Sequence, residues 1–321
     1  MIKHTDSKFQ LAILKLLNTV LNSGTFPNIW NQGLLTQLHK SGDKFDPNNY
    51  RGICVNSNVG KLLCMIINQR ILNFLTEKNI LSKSQIGFLP NYRTTDHIFT
   101  LNTLIDNQLN KNKSKMFSCF VDFKKAFDSI WHEGLLYKLL ESGIGGKTYD
   151  TIKSMYTNTC AVRIGKKHTE FFHQNRGVRQ VCSLSPTLFN IYINELATTL
   201  EQPTTPGIQL ADTEVKCLLF ADDLVLLSPT KEGLQQHLDL LHKFSQTWAL
   251  TVNLAKTKIM IFQKRQNHQN QQFFLNTTAL EHTKNYTYLG LNISSTGNFN
   301  KAANDLREKA RRAFLCHKKK H

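Results

Sequence analysis

The sequence predicts a mixed chain of helices and short strands. Three observations carry that expectation. Apolar residues recur at helical spacing in some segments, others form short β-prone runs between polar turns, and no internal repeat is present. At 321 residues, 40% hydrophobic and 20% charged, the chain can bury a sizeable core as one large domain or two.

The elements follow in order. Residues 8–24 have helical apolar spacing and stop at a glycine. Residues 62–75 and 94–112 are two further helices. The run "MFSCFVDF" (116–123) is short, apolar and β-prone, which fits a buried strand. Residues 135–143 form a helix with a glycine end. The segments 159–165 and 168–174 pair as a hairpin. Residues 185–202 are helical, with Pro186 accommodated in the first turn. "CLLF" and "LVLLS" are strands on either side of "ADD", and residues 234–250 are helical. Residues 257–263 and 286–294 are strands, each read as one piece, and 302–320 is a basic helix. The polar stretch 264–272 between those strands is an exposed hairpin loop.

Composition narrows the function. Forty Lys and Arg against 23 Asp and Glu leave a net charge of +17, which calls for a polyanionic partner, nucleic acid first. No apolar run approaches the roughly 20 residues of a membrane helix, so no membrane partner is expected. The N-terminus has no apolar signal core, which points to an intracellular protein of the cytoplasm or nucleus. Seven cysteines form no CxxC pair, so neither a zinc ribbon nor a redox motif is visible, and they are expected as free thiols. "HKKKH" (317–321) has the spacing of two metal ligands without a third, and reads as a basic tail.

The chemistry centres on "CLLFADDLVLLS" (217–228). A strand–ADD–strand pattern sets Asp222 and Asp223 at a hairpin turn, and "CFVDF" sets Asp122 at the end of a buried strand. If those strands are neighbours, the three carboxylates converge. Divalent cations favour such oxygen ligands and relieve the repulsion. Two ions ~4 Å apart suit an in-line phosphoryl displacement.

"FVDFKKAFDSIWH", "NRGVRQVCSLSPTLFNIYINEL", "FADDLVLLS", "NLAKTKIMIF" and "YLG" resemble, in order and spacing, the A to E motifs of reverse transcriptases. "NYRGICVNSNVGKLLCMIINQRI" and "SKSQIGFLPNYRTTDHIFTL" resemble finger motifs of the non-LTR (LINE-type) retrotransposon branch. The resemblance covers residues 8 to 315. It implies an α+β right-hand polymerase fold: fingers over 1–112, a palm over 113–295 with an insertion near 131–176, and the start of a thumb over 296–321. It also implies an RNA-directed DNA polymerase that uses two Mg²⁺ ions, or Mn²⁺, with an RNA template, a DNA primer and dNTPs as partners.

The resemblance assigns roles by position. Asp122 and Asp222 would ligate both ions, with the Phe123 carbonyl assisting and Asp223 a weaker ligand. Phe127 matches the steric gate that rejects a ribose 2′-OH. Asp128 is expected as a helix cap. Arg51 and Lys40 would grip the triphosphate, and Gln180 would contact the nascent base pair. Lys256 would protonate or stabilise departing pyrophosphate. Tyr288, Leu289 and Gly290 resemble the primer grip, a tight turn against the primer backbone.

Two departures matter. The family has Gly after the equivalent of Gln180, where this chain has Val181, so reduced polymerisation is expected. Leu89 stands where many relatives carry Arg, which thins template contacts. The chain begins after the family's Gly-Pro-Asp-Gly motif and stops inside the thumb, so weak primer–template binding is expected. An RNA-dependent RNA polymerase would carry GDD and a smaller gate residue, and a diguanylate cyclase its GGDEF-type signature. The remaining alternative is a catalytically inactive retrotransposon relic that binds RNA or DNA through a basic cleft.

Overall fold

The computed structural model describes residues 5–202, 204–264 and 271–318. They form two compact units, each assembled from two stretches of chain: 1–81 with 125–193, and 82–124 with 194–321.

The first unit opens with α1 (Ser7–Ser23), where the Asp6 carboxylate accepts the Phe9 amide at 2.7 Å and Gly24 ends the helix at φ 66°. A short α2 (Asn28–Asn31) leads into β1 (Gln32–His39), which pairs antiparallel with β2 (Tyr50–Val55). α3 (Asn58–Glu77) follows and buries Leu63, Cys64, Ile67, Ile71 and Leu75 along one face. After the chain returns, α5 (Ala126–Ser129), α6 (His132–Glu141) and α7 (Gly146–Met155) precede β4 (Thr159–Ile164), which runs parallel to β1. The expected hairpin forms, but its return strand is broken into β5 (Lys167–His168) and β6 (Phe172–His173). Arg163 faces His168 while Thr159 faces His173, so the return strand carries one extra residue, a bulge. α8 (Ser185–Leu200) starts in this unit and ends in the other.

The second unit contains α4 (Thr94–Asp106), continued by a π-turn over Asn107–Lys111, and a five-stranded sheet. Its order is β14 (Glu281–His282), β11 (Lys258–Phe262), β3 (Met116–Val121), β10 (Asp223–Ser228), β9 (Cys217–Phe220). β3 lies antiparallel to both β10 and β11. The small hairpins β7 (Ile208–Leu210)–β8 (Thr213–Val215) and β12 (Phe274–Leu275)–β13 (Thr278–Ala279) flank it, with α9 (Lys231–Thr247) between them in sequence.

The strand period decides what the sheet covers. In register, Phe120 faces Val225 on one side and Lys258 on the other, so alternate residues share a face. Met116, Phe120, Leu218, Val225, Leu227, Met260 and Phe262 form one buried cluster with Leu101, Leu104 and Ile105 of α4. Each such side chain, fully buried, stabilises by roughly 1.5–3 kcal/mol. Tyr288 and Ile293 close the same cluster from the hairpin β15 (Asn285–Tyr288)–β16 (Leu291–Ser294), followed by α10 (Asn300–Lys318).

That hairpin corrects one expectation. Residues 286–294 are not one strand, because Leu289 (φ 46°) and Gly290 (φ 83°) reverse the chain. Two successive positive φ values are the signature of a primed hairpin turn. Of the polar loop 264–272, residues 265–270 lie outside the described residues, as do 319–321 of the basic tail. The six described cysteines are free and buried. Among the described residues no helix is long and apolar enough to cross a membrane.

Candidate active site

The β3–β10 ladder pairs Val121 with Leu224, so the next position along sets Asp122 opposite Asp223 at the end of the sheet. β9 and β10 pair through Phe220 and Asp223, leaving Ala221 and Asp222 as the two-residue turn. The sequence-predicted convergence of Asp122, Asp222 and Asp223 is therefore a consequence of register. Partial burial, then the charges of Asp222 and Asp122, push the Asp223 carboxyl up to about 6. Its side chain still reaches solvent.

Asp122 is held from below. Its Oδ2 accepts from the Asn253 side-chain amide at 2.9 Å, and its carbonyl accepts the Asn253 backbone N–H at 2.7 Å. Its own N–H donates to Thr257 Oγ1 at 3.2 Å. Phe123 is buried and forms an isolated antiparallel bridge with Val252. Among the described residues, no three His, Cys, Asp or Glu side chains close around a single ion as placed. The donor set itself fits hard divalent cations: clustered carboxylate oxygens, with burial and then the neighbouring charges raising Asp223.

The aromatic floor of this site comes from the β15–β16 hairpin. Tyr286 stacks on Phe120 at 4.4 Å, and burial followed by the nearby Asp122 and Asp223 charges pushes its hydroxyl up to about 12. Tyr288, predicted at the primer grip, is buried at 2% exposure against Phe120. Its ring belongs to the core, and Gly290 is the exposed residue of the turn. Lys256 is exposed, in a turn where its N–H donates to the Asn253 carbonyl at 3.1 Å.

The remaining candidates lie in the first unit. Phe127 is half-buried and stacks on Phe189, centroids 4.4 Å apart and planes 15° apart. Asp128 corrects an expectation: it sits inside α5 behind the N-cap residue Lys125, and its Oδ1 accepts from Gln180 Nε2 at 2.6 Å. The carboxylate orients Gln180 rather than capping a helix. Arg179, next in sequence, is buried and donates to Asn31 Oδ1 and the Trp30 carbonyl, each at 3.0 Å. Directly after these two anchored residues Val181 adopts φ 59°. A β-branched residue there is strained, by about 1–2 kcal/mol. This is the conformation that glycine adopts freely. Lys40 is exposed on the β1–β2 loop, and Arg51 lies in β2 opposite Leu38, its side chain outside the described residues.

Sequence reasoning missed Asn253 and Gln85. Asn253 carries a faint signal, an amide directly after the buried Val252 and three residues before the lysine of "NLAKTK". Gln85 sits in "SKSQIGF", and its side chain reaches Ala221, 136 positions on.

Comparisons with known proteins agree with the fold. The family model described as "Reverse transcriptase (RNA-dependent DNA polymerase)" matches residues 38–293. The RNA-directed DNA polymerase from mobile element jockey of Drosophila melanogaster is 25% identical over 94% of this chain and 33% of its own length. The probable RNA-directed DNA polymerase from transposon BS of the same fly is 29% identical over 77% of this chain and 27% of its own length. The Pol polyprotein of its type-2 retrotransposable element R2DM is 28% identical over 89% and 27%. The chain thus spans about a third of the length of these relatives or less. Among solved structures, telomerase from Candida tropicalis with a fragment of telomeric RNA superposes with a TM-score of 0.60 at 14% identity, over 90% of this chain and 48% of that one. The apo form truncated from its C-terminal domain gives 0.59 at 16% identity, over 85% and 55%. At that identity the likeness speaks for the fold, the α+β right-hand polymerase architecture expected from the motifs. With its motifs in order and the family match running from 38 to 293, the chain belongs to the reverse transcriptase family, on its non-LTR retrotransposon branch.

Proposed function

We propose that the chain catalyses RNA-directed DNA synthesis, joining dNMP units to the 3′-hydroxyl of a DNA primer on an RNA template. The observation that supports this most is the register of β3 and β10, which sets Asp122 beside Asp223 and one residue from Asp222. Asp122, Asp222 and Asp223, with the Phe123 carbonyl, would hold two divalent ions, Mg²⁺ or Mn²⁺. When bound, such ions lower the pKa of a primer hydroxyl and neutralise leaving pyrophosphate.

The chain's own groups do the positioning. Asn253 fixes one oxygen of Asp122, leaving the other for an ion. Arg51 and Lys40 would bind the triphosphate, and Lys256 would protonate or stabilise departing pyrophosphate. The Phe127 ring, stacked on Phe189, would block a ribose 2′-OH. Gln180, oriented by Asp128, would meet the nascent base pair. With Tyr288 buried, contact with the primer backbone would fall to the Leu289–Gly290 turn. In this assignment 1–112 are fingers, 113–295 palm with an insertion near 131–176, and 296–321 the start of a thumb.

Oligo(dT)-primed synthesis on poly(rA) with Mg²⁺ tests it. The parent chain should give product and the Asp222→Asn variant none. Product from both, or from neither, counts against a polymerase. One observation favours the inactive binder instead: the strain at Val181 beside Gln180. A binder would keep its affinity for primer–template with Asn at both 122 and 222, and Val181→Gly would not restore incorporation.

A further inference from the structure

The turn that carries Asp222 is held in an unfavourable conformation by a segment remote in sequence. Ala221 has φ 59°, the left-handed region that a two-residue hairpin normally gives to glycine at this position. Nothing in its side chain favours that geometry. Its backbone, however, is gripped on both sides by one side chain. Gln85 Nε2 donates to the Ala221 carbonyl at 3.2 Å, while Gln85 Oε1 accepts the Ala221 N–H at 3.1 Å. The same oxygen accepts the Gly87 N–H at 2.8 Å, which fixes the amide's orientation.

The backbone around Gln85 is docked as well. The Ile86 N–H donates to the Leu219 carbonyl at 3.0 Å, and the Leu219 N–H donates to the Ser84 carbonyl at 2.9 Å. Residues 84–86 thereby extend the sheet past β9, and the Gln85 side chain carries the ladder one step further, to the turn. Gln85 is fully buried. Gly87 closes the arrangement: a Cβ there would stand 2.2 Å from the Ala221 nitrogen and 2.9 Å from the Phe220 carbonyl carbon. Both are backbone atoms, which cannot swing aside.

We propose that Gln85 and Gly87 are positioning residues that clamp Ala221 and thereby aim the Asp222 carboxylate. The clamp acts on the peptide joining Ala221 to Asp222, so its loss lets the turn rotate and moves a ligand without removing it. This rests on the assignment of Asp122, Asp222 and Asp223 as the divalent-ion site.

The test uses the full chain, Mn²⁺ as the probe, and two readouts. Mn²⁺ affinity is measured by paramagnetic-resonance titration, with Asp222→Asn as the control that defines site binding. Exchange of the Ala221 amide is measured by NMR. Gln85→Met, close in size but without the amide, should weaken Mn²⁺ binding about tenfold or more and speed Ala221 exchange about a hundredfold. Gly87→Ala should weaken Mn²⁺ binding comparably. Adding Ala221→Gly to Gln85→Met should bring Mn²⁺ affinity back to within about threefold of the parent, because glycine holds the turn without help. A merely space-filling glutamine would not be rescued this way, so a double variant as weak as the single one overturns the clamp. Unchanged Ala221 exchange in Gln85→Met overturns it too. No Mn²⁺ binding by the parent chain overturns the ion-site assignment instead, a result distinct from either.

Discussion

Val181 is the residue whose backbone and side chain disagree most openly. It holds φ 59° with 59% of its surface exposed, so packing gives nothing back for the strain. Val181→Gly should raise stability by about 1 kcal/mol, the relief of a left-handed β-branched residue less the entropy that glycine adds to the unfolded chain. Chemical denaturation reads the stability change, and primer extension should rise in the same variant. A loss of stability would show that the loop does not need that conformation. Asn253→Ala should leave folding largely intact but free the Asp122 carboxylate. We expect a higher Mg²⁺ requirement in primer extension, and an unchanged requirement would separate Asn253 from the site.

At this scale the sequence was legible where a side chain announces its own chemistry. The three aspartates stand out in apolar surroundings, and an unexpected valine stands out where glycine is expected. Asn253 and Gln85 were not legible, because an amide's role depends on what faces it. Gln85 and Ala221 are 136 positions apart. Asp128 shows the same limit: it was expected as a helix cap, while its actual partner, Gln180, lies 52 residues on.

Among the elements, the sheet was read well because both β3 and β10 are short apolar runs with a carboxylate at one end. The hairpin of β15 and β16 was missed by residue pattern, because "YTYLGLNIS" reads as one continuous β-prone run, whereas the primer-grip resemblance did expect a tight turn at 288–290. The successive positive φ values of Leu289 and Gly290 break it, and of the two only the glycine suits such a turn by residue type. The element matters to the site, since it brings Tyr286 and Tyr288 onto Phe120. Phe120→Ala should therefore cost about 3–5 kcal/mol in urea denaturation and weaken divalent-ion binding with it. Loss of stability with ion affinity untouched would detach the hairpin from the site.

For the whole molecule, buried histidines set an acid limit, His97 and His237 foremost, with His132 also pushed down by burial. Burial pushes His97 and His237 down to about 4, with Lys216 reinforcing the effect at His237 and Asp96 and Glu214 respectively opposing it. An unfolded histidine titrates near 6.5, so between about 6.5 and 4 the unfolded chain binds more protons than the folded one. Stability is complete above that window and falls as pH drops through it, by up to about 3 kcal/mol for each histidine. Denaturation at pH 7.5, 5.5 and 4.5 reads the slope, and His237→Leu should flatten part of it. Net charge was the other whole-chain feature open to sequence. If +17 serves nucleic-acid binding, affinity for a primer–template duplex should fall at least tenfold between 50 and 200 mM salt. Salt-independent binding would mean that the basic surface does not meet phosphates.

The proposed activity requires the carboxylates of Asp122, just past β3, and of the β9–β10 turn to share divalent ions. Anomalous scattering from crystals grown with Mn²⁺ measures this directly. A peak bridged by the Asp122 and Asp222 carboxylates is the predicted result. An ion bound elsewhere, or Asp122 turned away from an ion at 222–223, would contradict it.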